Sequence, residues 1–210
     1  MYFDPREDLR PAPLTHNPLN ALVAPRPIGW IGTCDAQGVP NLAPFSYFNA
    51  VSADPPLVVF APNEKSAGED GRAVSEKDTL ANLREVPEFS VSIVSEELAW
   101  NMNDTSTEVE RHVDEYALAG LAAAPCRAIG PACVGQARAV LECEVVDIVA
   151  LPSRAGGRRS HLVIGAVIGI HIDDALIVDG RVDVVALAQV ARLGYLDYGV
   201  VRELFEMPRP

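Results

Sequence analysis

The sequence predicts a mainly β protein, an antiparallel barrel into which a few short helices are inserted. Two long runs rich in β-branched residues, Val140–Leu151 and His161–Ile172, flank Gly156-Gly157 and are expected to pair as one long hairpin. The predicted strands do not alternate regularly with long helices, which argues against a doubly wound parallel sheet. Six or seven strands are therefore expected to form an antiparallel barrel.

The N-terminal half is expected to supply an irregular arm and the first four strands. Residues 1–17 are proline-rich and form the arm, and residues 18–210 form a single domain. Asp35–Gly38 is typical of a hairpin turn, and Pro44 marks the second strand as an edge or irregular strand. The polar residues 62–76 are interpreted as an exposed loop. The predicted strands are Ile28–Thr33, Asn41–Val51, Leu57–Ala61 and the half-buried Phe89–Val94.

Short helices are predicted where apolar residues recur at helical spacing and a proline or glycine ends the run. A short strand, Ala175–Val178, precedes the last helix, which Gly194 ends. Four acidic residues near the third helix are interpreted as a solvated helical face: Glu108, Glu110, Asp114 and Glu115. The predicted helices are Asp78–Arg84, Glu96–Met102, Asp114–Ala119 and Val184–Ala191.

Net charge and hydropathy exclude several classes of partner. The 210 residues carry a formal net charge of -12, so we expect neither nucleic acid nor an anionic membrane surface as a partner. The longest apolar run, Leu162–Ile170, is too short to span a membrane, and the charged N-terminus lacks the apolar core of a signal peptide. We therefore expect a cytoplasmic protein whose four cysteines are reduced thiols.

The sequence contains none of the common catalytic motifs. There is no GxGxxG after a strand, no P-loop, no GxSxG and no HExxH. The four histidines are spread along the chain, so we expect no metal site. Cys143, between Glu142 and Glu144, is interpreted as a buried structural thiol with a raised pKa and not as a nucleophile. No side chain is therefore predicted to be catalytic.

Three segments instead indicate a bound small molecule: Arg26–Ile31, Ala43–Asn49 and Lys77–Asn82. Lys77 and Thr79 stand where a helix is predicted to begin, and the free N–H groups of a helix start favour an anion such as phosphate. Each segment also has a purely structural explanation. Lys77–Asn82 can be an ordinary N-cap beside a surface lysine. Arg26–Ile31 can contribute a core tryptophan, and Ala43–Asn49 can be a barrel edge whose polar side faces water. Together the segments describe a site for a flat, partly apolar ring with a phosphate tail, either flavin mononucleotide (FMN) or pyridoxal phosphate.

The chain resembles the flavin reductase-like family with the FMN-binding split β-barrel. The resemblance covers residues 18–210, with the motifs in the family's order. It rests on Pro25–Ile31 (PRPIGWI), Asn41–Asn49 (NLAPFSYFN), Asp54–Pro56 (DPP), Lys77–Asn82 (KDTLAN), Val113–Gly120 (VDEYALAG), Leu141–Cys143 (LEC), Ala191–Tyr195 (ARLGY) and Met207–Pro210 (MPRP).

The resemblance implies a six-stranded antiparallel split barrel that forms a homodimer, with FMN near the subunit interface. It also implies a set of cofactor-binding residues. Ser46, Tyr47, Phe48 and Asn49 would bind FMN, Lys77, Asp78 and Thr79 would hold its phosphate end, Trp30 and Ile31 would lie along the isoalloxazine or the ribityl chain, and Arg192 and Tyr195 would close the site.

The function implied by the resemblance is that of an FMN-dependent oxidoreductase, most simply a flavin reductase. Such an enzyme takes hydride from NADH or NADPH and can supply reduced flavin to a flavin-dependent monooxygenase. One alternative is an electron-transfer flavoprotein that keeps FMN and exchanges electrons with another redox protein. Another is a non-catalytic protein that holds FMN or haem. Haem would need an axial ligand, and His171 is the best candidate for it.

Overall fold

The computed structural model describes residues 1–7, 11–65, 76–154 and 157–209. Most of the predicted loop 62–76, Gly156 and the C-terminal Pro210 lie outside the described residues. The strands are β1 (Arg26–Pro27), β2 (Gly29–Cys34), β3 (Pro40–Phe45), β4 (Phe48–Ala53), β5 (Pro56–Phe60), β6 (Glu88–Ile93), β7 (Ala123–Ala124), β8 (Cys133–Val134), β9 (Ala139–Ala150), β10 (His161–Ile172), β11 (Ile177–Val178), β12 (Arg181–Val182), β13 (Val190–Arg192) and β14 (Tyr198–Val200). The helices are α1 (Leu19–Leu22), α2 (Asp78–Glu85), α3 (Ala99–Asp104), α4 (Glu115–Leu118) and α5 (Val184–Leu187), with 3₁₀ turns at Glu96–Leu98 and Asp174–Leu176.

The main sheet has seven strands in the order β3-β2-β6-β9-β10-β5-β4, and each strand is antiparallel to its neighbours. Strands β3 and β4 stand at opposite edges of this sheet, yet only Ser46 and Tyr47 separate them along the chain. The chain therefore joins the two edges and rolls the sheet into a barrel. The main sheet has seven strands, and the segment predicted as one strand, Asn41–Val51, is divided between β3 and β4 because the chain bends at Ser46-Tyr47, next to the edge proline Pro44.

The predicted hairpin is confirmed by the pairing of β9 with β10. Its register runs from Ala150 opposite His161 to Ala139 opposite Ile172. β-Branched side chains fit a pleated, partly buried surface, and this explains why both runs form strands over nearly their predicted lengths. The hairpin supplies two of the central strands and brings Gly165 against the ring of Phe89 inside the barrel.

Strand β6 is buried on both faces, so its prediction as a half-buried strand is wrong. The serines of its second face are fully buried and hydrogen-bonded to the segment that contains β8. Ser90 Oγ donates to the Ala132 carbonyl at 2.7 Å, and Ser92 Oγ accepts from the Val134 N–H at 3.1 Å. The serines that alternate with apolar residues along β6 therefore face the segment that contains β8 and not solvent.

The last predicted helix is wrong in its second half. Helix α5 ends at Leu187, Ala188 adopts a left-handed conformation with φ of 49°, and β13 begins at Val190. The Val190 N–H donates to the Val94 carbonyl at 2.9 Å, and Arg192 of β13 pairs with Arg26 of β1. These distant backbone partners replace the helical hydrogen bonds that the local sequence favours.

Two hydrophobic clusters hold the barrel and its inserted helices together. The first fills the barrel, where the rings of Phe60 and Phe89 pack edge to face with centroids 5.3 Å apart. The second lies between the barrel wall and the helices and includes Trp30, Leu42 and Tyr116. It anchors α3 and α4 beside the Ser46-Tyr47 bend, where the candidate site lies.

No helix among the described residues is both long enough and apolar enough to cross a membrane.

Candidate functional site

Three connected cavities run along one side of the barrel. The helix-end pocket, about 70 Å³, lies between Lys77–Thr79, Asn41 and Thr105–Val109. The bend pocket, about 340 Å³, shares Pro44 and Ser106 with it and reaches Ser46 and Arg192. The outer groove, about 720 Å³, shares five residues with the bend pocket. These shared residues are Met102, Asn103, Arg192, Leu196 and Tyr198.

The helix-end pocket has a polar wall that is fixed by buried hydrogen bonds. Thr79 is almost fully buried, and its Oγ1 accepts from Asn41 Nδ2 at 3.0 Å. Thr33 Oγ1 accepts from the amides of Asn41 and Asn82, at 3.3 and 3.2 Å. Because α2 begins at Asp78, these contacts fix the orientation of its first turn, whose leading N–H groups have no partner within the helix.

Lys77 brings positive charge to this pocket. It precedes α2 in an extended conformation, and its Nζ lies 5.6 Å from the centroid of the Phe45 ring. Burial lowers the pKa of Lys77, and nearby Lys65 lowers it further, against the opposing effect of Glu108. A partly desolvated ammonium next to a helix start is well suited to pair with a phosphate group.

Asp78 forms an ion pair at the rim of the helix-end pocket. Its Oδ2 lies 2.6 Å from Lys65 Nζ. We expect the Asp78 carboxylate to avoid a phosphate because both are negatively charged, and pairing with Lys65 reduces the repulsion between them. The missed residue Lys65 precedes the undescribed part of the 62–76 loop, and no sequence signal distinguished it from a surface lysine.

The interpretation of a solvated acidic face is wrong for Glu115. This side chain is buried, lines the helix-end pocket, and accepts the Leu42 N–H of β3 at 3.1 Å through Oε2. Burial raises the pKa of the Glu115 carboxyl, and the Leu42 hydrogen bond only partly offsets that rise. Asp114 instead caps α4, because its Oδ1 accepts from the Tyr116 N–H at 2.8 Å.

A run of three hydroxyl residues, Thr105-Ser106-Thr107, completes the helix-end pocket and was missed in the sequence. Thr105 Oγ1 accepts from the indole N–H of Trp30 at 2.9 Å and donates to the Met102 carbonyl at 2.8 Å. Three consecutive hydroxyl side chains after a helix were the available signal, since hydroxyls and exposed N–H groups are common phosphate ligands.

The predicted site residues divide into two groups. Ser46, Lys77, Asp78, Thr79 and Arg192 line the connected cavities.

The other six predicted residues have different surroundings. Trp30 and Ile31 are fully buried, one in each hydrophobic cluster, and Phe48 belongs to the barrel cluster. Tyr47 lines a separate cavity and donates its hydroxyl to Asn20 Oδ1 at 2.8 Å. Asn49 is exposed on β4.

Arg192 and Tyr195 meet at the far end of the bend pocket. The Arg192 guanidinium lies over the Tyr198 ring, 4.4 Å from its centroid, and donates to the Tyr198 hydroxyl and the Tyr195 carbonyl. Tyr195 has a positive φ of 56°, and its half-exposed ring packs against His16 with centroids 5.4 Å apart. Arg192 therefore reaches the groove with its side chain, whereas Tyr195 supports it through its backbone.

The arrangement suits an elongated ligand with an anionic end. Cation, hydroxyls and helix N–H groups converge at the narrow helix-end pocket, and the wider bend pocket adds apolar walls from Ile28, Pro44 and Met102. Among the described ranges, no grouping of three or more His, Cys, Asp or Glu side chains is arranged to hold a metal ion.

Comparisons with known proteins agree with this fold. The crystal structure of nitrilotriacetate monooxygenase component B from Bacillus cereus matches with a TM-score of 0.87 at 28% identity, covering 99% of this chain and 98% of that one. A protein with a split barrel domain from Shewanella frigidimarina matches with a TM-score of 0.76 at 22% identity, covering 91% and 90% of the two chains. The predicted split-barrel fold is thus confirmed.

Sequence relatives and a family model identify the family. The uncharacterized protein BH2278 of Halalkalibacterium halodurans is 33% identical over 188 residues, which cover 90% of this chain and 87% of that protein. The model of the flavin reductase like domain matches residues 22–185. Because that match spans most of the chain, this protein belongs to the flavin reductase-like domain family.

Proposed function

We propose that this protein is a flavin-dependent oxidoreductase that binds FMN along the helix-end and bend pockets and takes hydride from NADH or NADPH. One observation carries the proposal. The buried Thr79, the desolvated Lys77 and the start of α2 converge at one end of a cavity that widens toward Ser46 and Arg192. A phosphate group fits the narrow, positively charged end of this cavity, and a flat ring fits its wider, partly apolar end.

The phosphate end is assigned to the helix-end pocket. Lys77 supplies the charge, Thr79 a hydroxyl, and the first turn of α2 its N–H groups. Thr107 adds a hydroxyl from the opposite wall, where the Ser106 hydroxyl instead donates to the Asn103 carbonyl at 2.6 Å. These donors have to offset the repulsion from a chain with a net charge of -12, although salt screens charges beyond about 8–10 Å.

The ring end is assigned to the bend pocket. Ser46 offers hydrogen bonds at the point where the strand bends, and Ile28 and Met102 supply apolar surface. When bound, the flavin supplies the two-electron chemistry. The protein positions the ring and excludes water from one of its faces. Arg192 also lines the bend pocket, and its positive charge would stabilise the negative charge that a flavin ring gains when it is reduced.

Trp30 receives a new role in this proposal. Its side chain is fully buried, so we assign it to positioning Thr105 through the indole hydrogen bond and not to contact with the ring. Ile31 and Phe48, which are packed inside the barrel, are assigned to supporting the barrel wall from within and not to contact with the ring.

Exposed Tyr47, Asn49 and Tyr195 fit a second role, contact with a flavin held by another subunit. None of the three lines the helix-end pocket, the bend pocket or the outer groove of its own chain, and a homodimer with FMN near the interface would bring them to the partner's site. Large apolar side chains around the outer groove support such an interface, since Trp100 is 80% exposed and Leu196 85%.

The acceptor of the electrons is proposed to be a flavin-dependent monooxygenase or another redox protein. The similar Bacillus cereus protein is a monooxygenase component, and this supports delivery of reduced flavin to a separate oxygenase. The outer groove adjoins the bend pocket and leaves space beside the proposed ring position for a donor or an acceptor.

Oxidation of NADH or NADPH with added FMN tests this proposal. We expect wild-type protein to be active, and we expect Lys77→Ala to need a higher FMN concentration for half-maximal rate. Arg84→Ala is the matched control, because Arg84 lies at the other end of α2 and pairs with Glu76 on the surface. Wild-type protein that oxidises neither nucleotide, or equal losses in both variants, would contradict the proposal.

A further inference from the structure

The outer groove lies between helix α3 and the hairpin that β13 and β14 form. Its inner end is shared with the bend pocket. The opposite end, named the distal end, is lined by Trp100, Gly199 and Val200 and bounded by Glu96 and Arg202. Trp100 is 80% exposed, so the distal end presents a large aromatic surface to water. Exposed apolar surface that is rimmed by polar residues is typical of a binding site for a partner.

The backbone at the distal end suits an extended chain. Strand β14 stands at the edge of its sheet, in which the strand order is β1-β13-β14. One side of an edge strand can form backbone hydrogen bonds with an added segment. Gly199 carries no side chain that would keep such a segment away, and the Trp100 indole on the α3 wall can pack against another aromatic ring. An extended segment with an aromatic side chain therefore fits this end of the groove.

The C-terminal tail, residues 203–209, is a segment of this kind. It forms neither helix nor strand, and each of its residues is exposed. Leu204, Phe205 and Met207 place three large apolar side chains in water, and Phe205 is 83% exposed. Because burial removes such surface from water, docking in an apolar groove would stabilise the tail.

The root of the tail is fixed beside the groove of its own chain. Arg202 pairs with Glu96 at 2.5 Å. The Val201 N–H donates to the Gln189 carbonyl at 3.1 Å. These two contacts hold the chain at the distal end, immediately before the tail begins.

The tail does not fill the groove of its own chain, because Trp100 and Phe205 are both largely exposed. Seven extended residues span at most about 25 Å. This length reaches a second copy whose groove lies beside the root of the tail. A two-fold axis close to the two roots would place each tail at the groove of the other chain, so one axis forms both contacts.

Charge favours the same contact. Arg192 and Arg202 outnumber Glu96 among the charged residues that line the groove, whereas Glu203 and Glu206 flank the apolar pair in the middle of the tail. The whole chain has a net charge of -12, so most of its surface repels an acidic segment. A groove with an excess of positive charge attracts such a segment.

We propose that the C-terminal tail of each copy docks in the distal end of the outer groove of a second copy, where Phe205 packs against Trp100. The exchange is reciprocal and holds the two chains together as a dimer. The inner end of the groove stays open beside the bend pocket, so the space for an electron donor is kept. The contact is independent of the proposed reductase activity, and it is tested on flavin-free protein.

Light scattering of flavin-free protein over a range of concentrations measures the dimer dissociation constant. Trp100→Ser and Phe205→Ser should each raise this constant by about tenfold or more, because aromatic anchors contribute much of the binding energy of an interface. Both side chains are exposed, so neither change disturbs the core of the single chain. Ile177→Ser is the matched control, because Ile177 is exposed on β11, outside the groove and the tail, and this variant should dimerise like wild type.

A mixture of the two variants separates exchange between chains from docking within one chain. In each variant alone, both contacts of a dimer are damaged. A mixed dimer regains one intact contact, between the tail of the Trp100→Ser chain and the groove of the Phe205→Ser chain. The equimolar mixture should therefore contain more dimer than either variant at the same total concentration.

Tryptophan fluorescence of the wild type gives a check that needs no variant. The chain has two tryptophans, and Trp30 is fully buried, so the exposure of Trp100 dominates any change in emission. Diluting the dimer into single chains should shift the emission to longer wavelength. Wild-type protein that stays a single chain, dilution without a shift, variants that dimerise like wild type, or a mixture with no more dimer than its components would each overturn the proposal.

Discussion

Lys77 is the residue on which the proposed phosphate site depends most. We expect Lys77→Ala to weaken FMN binding by about 1.5–3 kcal/mol and Thr79→Ala by about 1 kcal/mol or more, because hydrogen bonds to charged groups contribute about that much. Riboflavin lacks the phosphate and should bind both variants almost as well as it binds wild type. Titration of each variant with the two flavins measures the difference, and equal losses for FMN and riboflavin would place these residues elsewhere in the site.

The lowered pKa of Lys77 predicts a pH dependence of FMN affinity. Burial holds the pKa of this ammonium below its usual value, and a nearby phosphate raises the pKa again, so binding takes up protons. Affinity is full where Lys77 is already charged and falls as the pH rises through the lowered pKa. FMN titrations at increasing alkaline pH should show this fall in wild type and not in Lys77→Arg, which stays charged. A fall of the same size in Lys77→Arg would assign it to another group.

Replacing Glu115 is expected to strengthen FMN binding, whereas replacing Lys77 or Thr79 is expected to weaken it. Its carboxylate is buried in the helix-end pocket and repels an incoming phosphate, whereas Glu115→Gln keeps an oxygen that can accept the Leu42 N–H. We expect the variant to bind FMN more tightly, by about 0.5–1 kcal/mol for a partly screened charge pair. Riboflavin affinity should change little. Calorimetric titration that shows weaker FMN binding would indicate that Glu115 contacts the ligand.

At the scale of elements, the close contact between β10 and β6 predicts a large effect of one methyl group. A Cβ added at Gly165 would lie 2.3 Å from Cζ of the buried Phe89 ring. Gly165→Ala should therefore lower the free energy of unfolding by about 1–3 kcal/mol through overpacking. Gly199→Ala in β14 is the control, because its nearest neighbour would be a Leu193 side-chain atom at 3.5 Å. Equal stabilities in urea denaturation would contradict the packing described for the barrel.

The elements predicted well are those whose sequence pattern agrees with their tertiary surroundings. Strands β9 and β10 and helix α2 begin and end within one residue of their predicted limits. The predicted helix Val184–Ala191 extends into the first two residues of β13, because the pairing of this strand with β1 is a contact distant in sequence and no local pattern reports such a contact. Glu115 was predicted to be solvated for the same reason, since β3 covers α4 only in the folded chain.

Within the candidate site, the sequence predicted the residues that line the helix-end pocket better than those around the Ser46-Tyr47 bend. Lys77, Asp78 and Thr79 are consecutive residues at the start of a helix, so these neighbours in the sequence are also neighbours in the structure. Around Ser46 the strand bends and side chains alternate in direction, so neighbours in sequence face different cavities. Tyr47 lines a cavity separate from that of Ser46, and a linear motif does not report this separation.

At the scale of the whole molecule, the exposed apolar surface predicts a homodimer. Besides the residues around the outer groove, Phe205 near the C-terminus is 83% exposed. Burying such side chains in a symmetric interface would remove apolar surface from water. Light scattering at micromolar concentration should give twice the mass of one chain, whereas a single-chain mass would contradict the dimer and the proposed roles of Tyr47 and Tyr195.

The central claim is that the protein holds FMN and reduces it with a pyridine nucleotide. The most direct measurement is the visible spectrum of the FMN-loaded protein before and after NADH or NADPH is added without oxygen. We expect the flavin bands to bleach with one of the two donors, because the outer groove leaves space for a donor beside the bend pocket. Flavin bands that persist with both donors would contradict the reductase and favour an electron carrier, and a Soret band in the purified protein would contradict the flavin itself.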